Sequence, residues 1–126
     1  AAEVLHKRSR KMRQYSEHLH PNAAANQLHM LRIACKNLRY SADLFSSLYE
    51  TDKTKCYVDA LEKLQDSLGV FNDHAVALKL LEELDGAAHH KSIELIRSVI
   101  EHGHAKRLRS LRKVWDRFAE QPIFWG

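Results

Sequence analysis

The chain has 126 residues, a formal net charge of +4 at pH 7 and a hydrophobic content of 44%. This length suits one domain spanning residues 1–126, and the apolar content excludes a disordered tail. Four glycines and two prolines leave too little turn chemistry for an all-β fold, and no apolar run approaches a membrane span. The N-terminal residues lack the apolar stretch of a signal peptide, so we expect a cytoplasmic protein with no membrane contact.

The positive charge is unevenly distributed along the sequence. Residues 1–20, 21–49 and 86–126 carry net charges of +3, +2 and +4, whereas residues 50–85 carry −5. This polarity predicts a molecule with a positive side, which favours an anionic partner without identifying the anion.

Apolar residues at helical spacing predict four amphipathic segments. The first covers about residues 2–19 and ends before Pro21, and the second covers about residues 26–48. Because short connections join the amphipathic helices, we expect an all-α fold, an antiparallel four-helix bundle.

The third segment begins near Thr51 or Asp52 and contains Gly69 in "GVFND", which predicts a helix end and a restart. Residues 51–84 therefore form either two helices or one interrupted helix. The last segment covers about residues 91–119, and it leaves an apolar tail whose aromatic residues we expect to be exposed.

An arginine interrupts the apolar face of the first segment. On a helical projection Arg8 falls between Leu5, Tyr15 and Leu19, where a cation is costly unless it is paired or faces a polar cavity. Two interpretations remain: the side chain extends outward from the edge of the face, or it belongs to a charged interior channel. Lys11 lies on the adjoining flank.

The second segment places its cations on one face. In "HMLRIACKNLRY" the four basic side chains recur at spacings of 3, 4 and 3 and fall within about 80° of one another, opposite the main apolar face. Like charges at this spacing repel, so an ordinary solvated face mixes signs. The face therefore predicts an anion site, with Tyr40 beside it either donating a hydrogen bond or packing. We call this set the basic stripe: His29, Arg32, Lys36 and Arg39.

Two further charged groups are candidates for the same site. Lys106, Arg109 and Lys113 lie opposite the apolar face of the last segment, a pattern that on its own is typical of a solvated surface. Asp66 and Asp73 in the third segment are either caps and structural ion-pair partners or the groups that orient the basic stripe.

Other site chemistries find little support in the sequence. The histidines lack zinc-ligand spacing, no close cluster of three acids occurs, and neither a glycine-rich phosphate loop nor a GxSxG motif is present. We expect no catalytic residue, no metal and no cofactor. Cys35 lies at the edge of an apolar face, so we predict a reduced, buried thiol there and no disulfide with Cys56.

Three spaced elements, in this order, resemble the CHAD domain, the conserved-histidine α-helical domain. The basic stripe with Tyr40 matches its basic motif, and Trp115, Phe118, Pro122 and Trp125 resemble its C-terminal end. The chain departs at Asn37, where a second basic residue is common, and at Asp43, where Glu is usual. It also has about half the family's length and resembles its C-terminal half. Between these elements lies a match to the family's "D..G..ND" pattern: Asp66, Gly69, Asn72 and Asp73.

The resemblance implies one of two four-helix bundles that enclose a basic groove, bind inorganic polyphosphate and localise to polyphosphate granules. We therefore expect a non-catalytic polyphosphate-binding module. The missing N-terminal half-domain, a homodimer or a fused triphosphatase domain would be further partners. Alternatives left open are a nucleic-acid-binding module, a metal-dependent phosphohydrolase and an accessory domain of a triphosphatase. The expected contacts are the basic stripe, Tyr40, Arg8, Lys11, Lys106, Arg109 and Lys113.

Overall fold

The computed structural model describes residues 1–17, 19, 25–84 and 89–126. This part of the chain is almost entirely α-helical, which confirms the all-α bundle. The predicted breaks at Pro21 and between the third and fourth segments fall outside the described residues. None of the described helices is long and apolar enough to cross a membrane. In chain order the helices are α1 (Ala2–Ser16), α2 (Ala25–Phe45), a short 3-10 helix (Ser46–Leu48), α3 (Thr51–Leu84), α4 (His90–His102) and α5 (His104–Ala119).

Helix α3 continues without interruption through Gly69, so the predicted break at "GVFND" is wrong. No described glycine has a positive φ, so Gly69 does not end the helix as a left-handed cap. Leu64, Leu68 and Phe71 continue the buried face across this position. Their burial outweighs the roughly 1 kcal/mol that a glycine costs inside a helix.

The last predicted helix is instead divided at Gly103 into α4 and α5. The guanidinium of Arg107 donates a hydrogen bond to the Ile100 carbonyl at the end of α4. The same guanidinium lies against Gly103, where a Cβ would collide with it. A larger residue at this position would require the Arg107 guanidinium to move.

Helix α2 packs against α1 and α3, and α3 also packs against α5 and, less extensively, α4. Helices α1, α2, α3 and α5 contribute apolar side chains to a common core, so the opposite face of α2 points away from that core. That outer face carries the basic stripe. The largest fully buried side chains include Leu5, Met12, Leu31, Leu38, Tyr57, Leu61, Leu64, Leu68, Leu111 and Phe118.

The C-terminal tail folds back onto this core. Phe124 and Trp125 are each 7% exposed, and their ring centroids lie 5.4 and 5.2 Å from that of Tyr57 in edge-on geometry. The expectation of exposed tail aromatics is wrong, because aromatic side chains gain more from burial against Tyr57 than from remaining in water.

The cysteines behave as predicted. Cys35 is fully buried and Cys56 is exposed, and both are free thiols. The Sγ of Cys35 lies 3.7 Å from the Leu61 carbonyl oxygen on α3. Burial raises the pKa of Cys35 to about 12, although nearby Arg39 acts in the opposite direction, so the thiol stays protonated at neutral pH.

Candidate anion-binding site

The basic stripe lies on the outer face of α2 because contacts on either side of the helix fix its rotation. On one side, Arg8 of α1 donates to the carbonyl oxygen of Asn37 at 2.9 Å and to Ser41 Oγ. On the other side, Cys35 lies against α3. His29 is exposed, whereas the three other members of the stripe are half-buried.

Arg39, at the C-terminal end of the stripe, is held by α3. Its Nη1 donates to Gln65 Oε1 at 3.1 Å, and its Nη2 lies 3.5 Å from Glu62 Oε1. The Asp43 carboxylate lies 4.0 Å from its Nε. Two carboxylates therefore partly compensate the positive charge of Arg39 in the structure without a ligand.

Glu62 and Gln65 are site residues that the sequence analysis missed. They lie on the same side of α3 as Asp66, which was already a candidate. Their position on the same helix face as Asp66 could have identified them from the sequence. Asp66 and Asp73 are exposed, and in the part of the chain that the structure describes neither bonds to the stripe. The role of these two aspartates in orienting the stripe stays a prediction.

Arg32 and Lys36 are differently placed from Arg39. Within the described ranges, no carboxylate pairs with either of them. Lys36 Nζ lies 5.6 Å from the ring centroid of Tyr40, a cation–π distance. Whether the Tyr40 hydroxyl also donates a hydrogen bond to an anion stays a prediction. The least compensated positive charge of the stripe lies at Arg32 and Lys36.

Arg8 and Lys11 line a second feature, a groove of about 420 Å³ between α1 and α2. Arg8 is exposed, and Ser9 rather than Arg8 occupies the buried position of α1. Arg8 thus extends outward from the edge of the apolar face and ties α1 to α2, and within the described residues it does not line a charged interior channel. Lys7 adds a third cation to this groove.

Lys106, Arg109 and Lys113 form a separate basic face on α5. All three are exposed, while Leu108 and Leu111 on the other side of the helix are buried. Because α3 separates α5 from α2, the structure does not bring these cations together with the basic stripe. They form a second positive surface on the same bundle.

A cavity of about 550 Å³ begins at the N-terminal end of the stripe, where His29 and Arg32 meet His74 of α3 and His104 of α5. Burial lowers the pKa of His74, and Arg107 acts in the same direction, whereas Asp73 opposes them. His74 is therefore neutral at pH 7. The sequence offered no spacing signal for this group, because its members come from three helices.

Among the described residues, no group of three His, Cys, Asp or Glu side chains is arranged to hold a metal ion. What the site offers is a set of nitrogen donors: one guanidinium without an acidic partner, one ammonium and one exposed imidazole along two turns of helix. Such donors form charge-assisted hydrogen bonds with phosphate oxygens.

Comparison with known proteins gives one match. The family model of the CHAD domain matches residues 1–82, which include α1, α2 and nearly all of α3. No curated protein and no solved structure was found to match the chain. The matched region contains both the basic stripe and the "D..G..ND" pattern, whereas the resemblance at the C-terminal end lies beyond it and stays a prediction. Because the family model covers well over half of the sequence, the chain belongs to the CHAD domain family.

Proposed function

We propose that the protein binds inorganic polyphosphate along the basic stripe of α2 and that it has no catalytic activity of its own. One observation carries the proposal: Arg32 and Lys36 lie half-buried on the face of α2 that points away from the core, and no acidic partner accompanies them in the described part of the chain. A helix that keeps uncompensated cations on one face is suited to an anion with repeated charges.

The spacing of the stripe supports a polymeric anion. Polyphosphate carries about one negative charge per phosphate, with a repeat shorter than one helical turn of about 5.4 Å. Arg32 can contact neighbouring phosphate oxygens through its forked guanidinium, and Lys36 supplies a point charge. Arg39 can join them once its pairing with Glu62 and Asp43 is loosened by the incoming anion.

A nucleic acid is the second candidate, because its backbone is also a repeated phosphate. Single-stranded recognition normally adds exposed aromatic rings on which bases stack. Tyr40 is exposed beside the stripe, but Lys36 already lies over its ring. Most other described aromatic side chains are buried or half-buried. This distribution favours polyphosphate over nucleic acid.

The test is a titration of long-chain polyphosphate and of DNA at matched ionic strength. The double variant Arg32→Ala/Arg39→Ala is expected to lose about 100-fold or more in polyphosphate affinity, since charge-assisted hydrogen bonds each contribute about 1.5–3 kcal/mol. The matched control is Arg10→Ala/Arg13→Ala, which removes the same charge from exposed positions of α1. Equal losses in both double variants, with helicity preserved, would contradict a specific site on α2.

Catalysis is tested separately by incubating the protein with polyphosphate and a divalent metal. Retention without released phosphate supports a binding module, and phosphate release supports the phosphohydrolase alternative. The proposal extends to location and partners. We propose a position at polyphosphate granules, a second bundle that completes the groove (another copy or an N-terminal half-domain) and association with a triphosphatase domain.

A further inference from the structure

The cavity at the N-terminal end of α2 has apolar walls, and inorganic polyphosphate has no apolar group that would contact them. It lies between the start of α2, the C-terminal half of α3 and the junction of α4 with α5, and its volume is about 550 Å³. Small-molecule sites typically measure 300–1,000 Å³ and combine apolar walls with a few polar groups. Here the apolar wall includes Leu28, Leu68, Phe71, Leu78 and Ile100.

Most of the polar side chains that line the cavity carry nitrogen donors. Arg32 has no acidic partner among the described residues, and its Nε is buried without a hydrogen bond. The Nδ1 of His74 is likewise buried and unpaired in the described structure. Buried polar atoms in proteins are nearly always hydrogen-bonded. The Arg32 Nε can only donate, so it calls for an acceptor at this end of the cavity, and the His74 Nδ1 is a second unpaired polar atom beside it.

The charge balance of the lining also favours an anion. Glu101 is offset by Lys79, which leaves the charge of Arg32 uncompensated. His29 and His104 add two further imidazoles that can donate hydrogen bonds or accept a proton beside an anion. The ring of His104 contacts Phe71 edge-on, with centroids 5.6 Å apart, so an apolar surface lies directly beside the donors.

We propose that this cavity binds a small organic phosphate monoester. The phosphate contacts Arg32 and the neighbouring imidazoles, and the apolar body of the ester lies against Leu68, Phe71 and Ile100. Inorganic polyphosphate exposes oxygen on every side and leaves such walls unused, whereas a monoester uses both parts of the site. The cavity shares His29 and Arg32 with the basic stripe, but Lys36, Arg39 and Tyr40 do not line it, so binding of the ring against Leu68 and Ile100 can be tested separately from polyphosphate binding.

The experiment is a calorimetric titration of the full chain with phenyl phosphate, inorganic phosphate and phenol. Phenyl phosphate should bind at least about tenfold more tightly than either fragment, because burying a ring of roughly 100 Å² adds to the phosphate contacts. Arg32→Met should weaken phenyl phosphate binding about tenfold. Arg10→Met, an equal loss of charge at an exposed position of α1, should leave it unchanged.

The location of the ring is tested by filling the cavity. Ala75 lines it, so Ala75→Phe should abolish the preference for phenyl phosphate over inorganic phosphate. Ala105→Phe, at an exposed position of α5 outside the cavity, is the matched control. Nuclear Overhauser contacts between phenyl protons and the methyl groups of Leu68 and Ile100 in the unmodified protein would also show that the ring lies in the cavity.

Equal affinities for phenyl phosphate and inorganic phosphate, or ring contacts outside the cavity, would overturn the proposal. The outcome is independent of the polymer. If polyphosphate fails to bind while phenyl phosphate contacts Leu68 and Ile100, the cavity proposal holds and the proposed function does not.

Discussion

If the basic stripe binds an anion as proposed, we expect Glu62 to weaken that binding, because its carboxylate lies 3.5 Å from Arg39 Nη2. The substitution Glu62→Gln keeps the size of the side chain and removes its charge. Arg39 retains its hydrogen bond to Gln65 and its contact with Asp43, so its position should persist. We therefore expect Glu62→Gln to strengthen polyphosphate binding, unlike any substitution that removes a cation.

The size of the effect follows from the geometry. A phosphate oxygen bound to the guanidinium lies about 3 Å beyond it, hence about 6 Å from the Glu62 carboxylate. Two unit charges 6 Å apart in a water-like dielectric repel by about 0.7 kcal/mol. Relief of that repulsion corresponds to roughly threefold tighter binding. Since Glu62 is about half exposed, added salt should shrink the gain.

The assay is a fluorescence titration of labelled polyphosphate at low and high ionic strength. The control is Glu83→Gln, which makes the same change in net charge at an exposed position near the end of α3. A gain confined to Glu62→Gln supports the site on α2. Equal gains in both variants would mean that net charge alone governs binding, and weaker binding by Glu62→Gln would refute the reasoning.

Three other predictions concern packing, ionisation and association. Trp125→Ala should lower the free energy of unfolding by about 3 kcal/mol in urea denaturation, because Trp125 is buried against Tyr57. The control is Ile123→Ala at an exposed neighbouring position. An equal loss of stability in both variants would contradict the packing of the tail. Burial raises the pKa of Tyr57 from 10.0 to about 12. The unfolded chain therefore releases this proton first, and stability should fall as the pH rises from about 10 towards 12; circular dichroism melts that do not change over this range would count against the buried phenol. Large apolar side chains on α4, including Leu95 and Val99, are more than half exposed, so we expect a second copy to cover them when polyphosphate is added. Light scattering that gives a monomer mass with and without saturating polyphosphate would exclude this association.

The sequence alone was sufficient to predict an all-helical fold and the side of α2 that carries its cations. On a helix, the spacing of residues in the sequence fixes the direction of their side chains around the helix axis. The 3, 4 and 3 spacing of the stripe therefore predicted that its side chains share one face without knowledge of the packing. The burial of Cys35 was predictable for the same reason. These properties depend on neighbours within two turns of one helix.

Glycine showed the limit of local reasoning. A helix end was predicted at Gly69 and an unbroken helix at Gly103, and the structure has the reverse. Burial of Leu68 and Phe71 in the core carries α3 through the first glycine. The guanidinium of Arg107 occupies the space beside the second. At Gly69 packing outweighed a propensity of about 1 kcal/mol, whereas at Gly103 the break agrees with that propensity.

The pairing of the charges and the position of the tail depend on how the helices pack. Arg39 and Glu62 are 23 positions apart in the sequence, and they meet because α2 and α3 pack side by side. Phe124 and Trp125 are buried because the tail crosses Tyr57, and the cavity exists because three helices place His29, His74 and His104 around one space. The sequence specified the faces of the helices. The pairing of one helix face with another depends on the shape of the assembled core, because contacts between distant segments form only when the helices pack together.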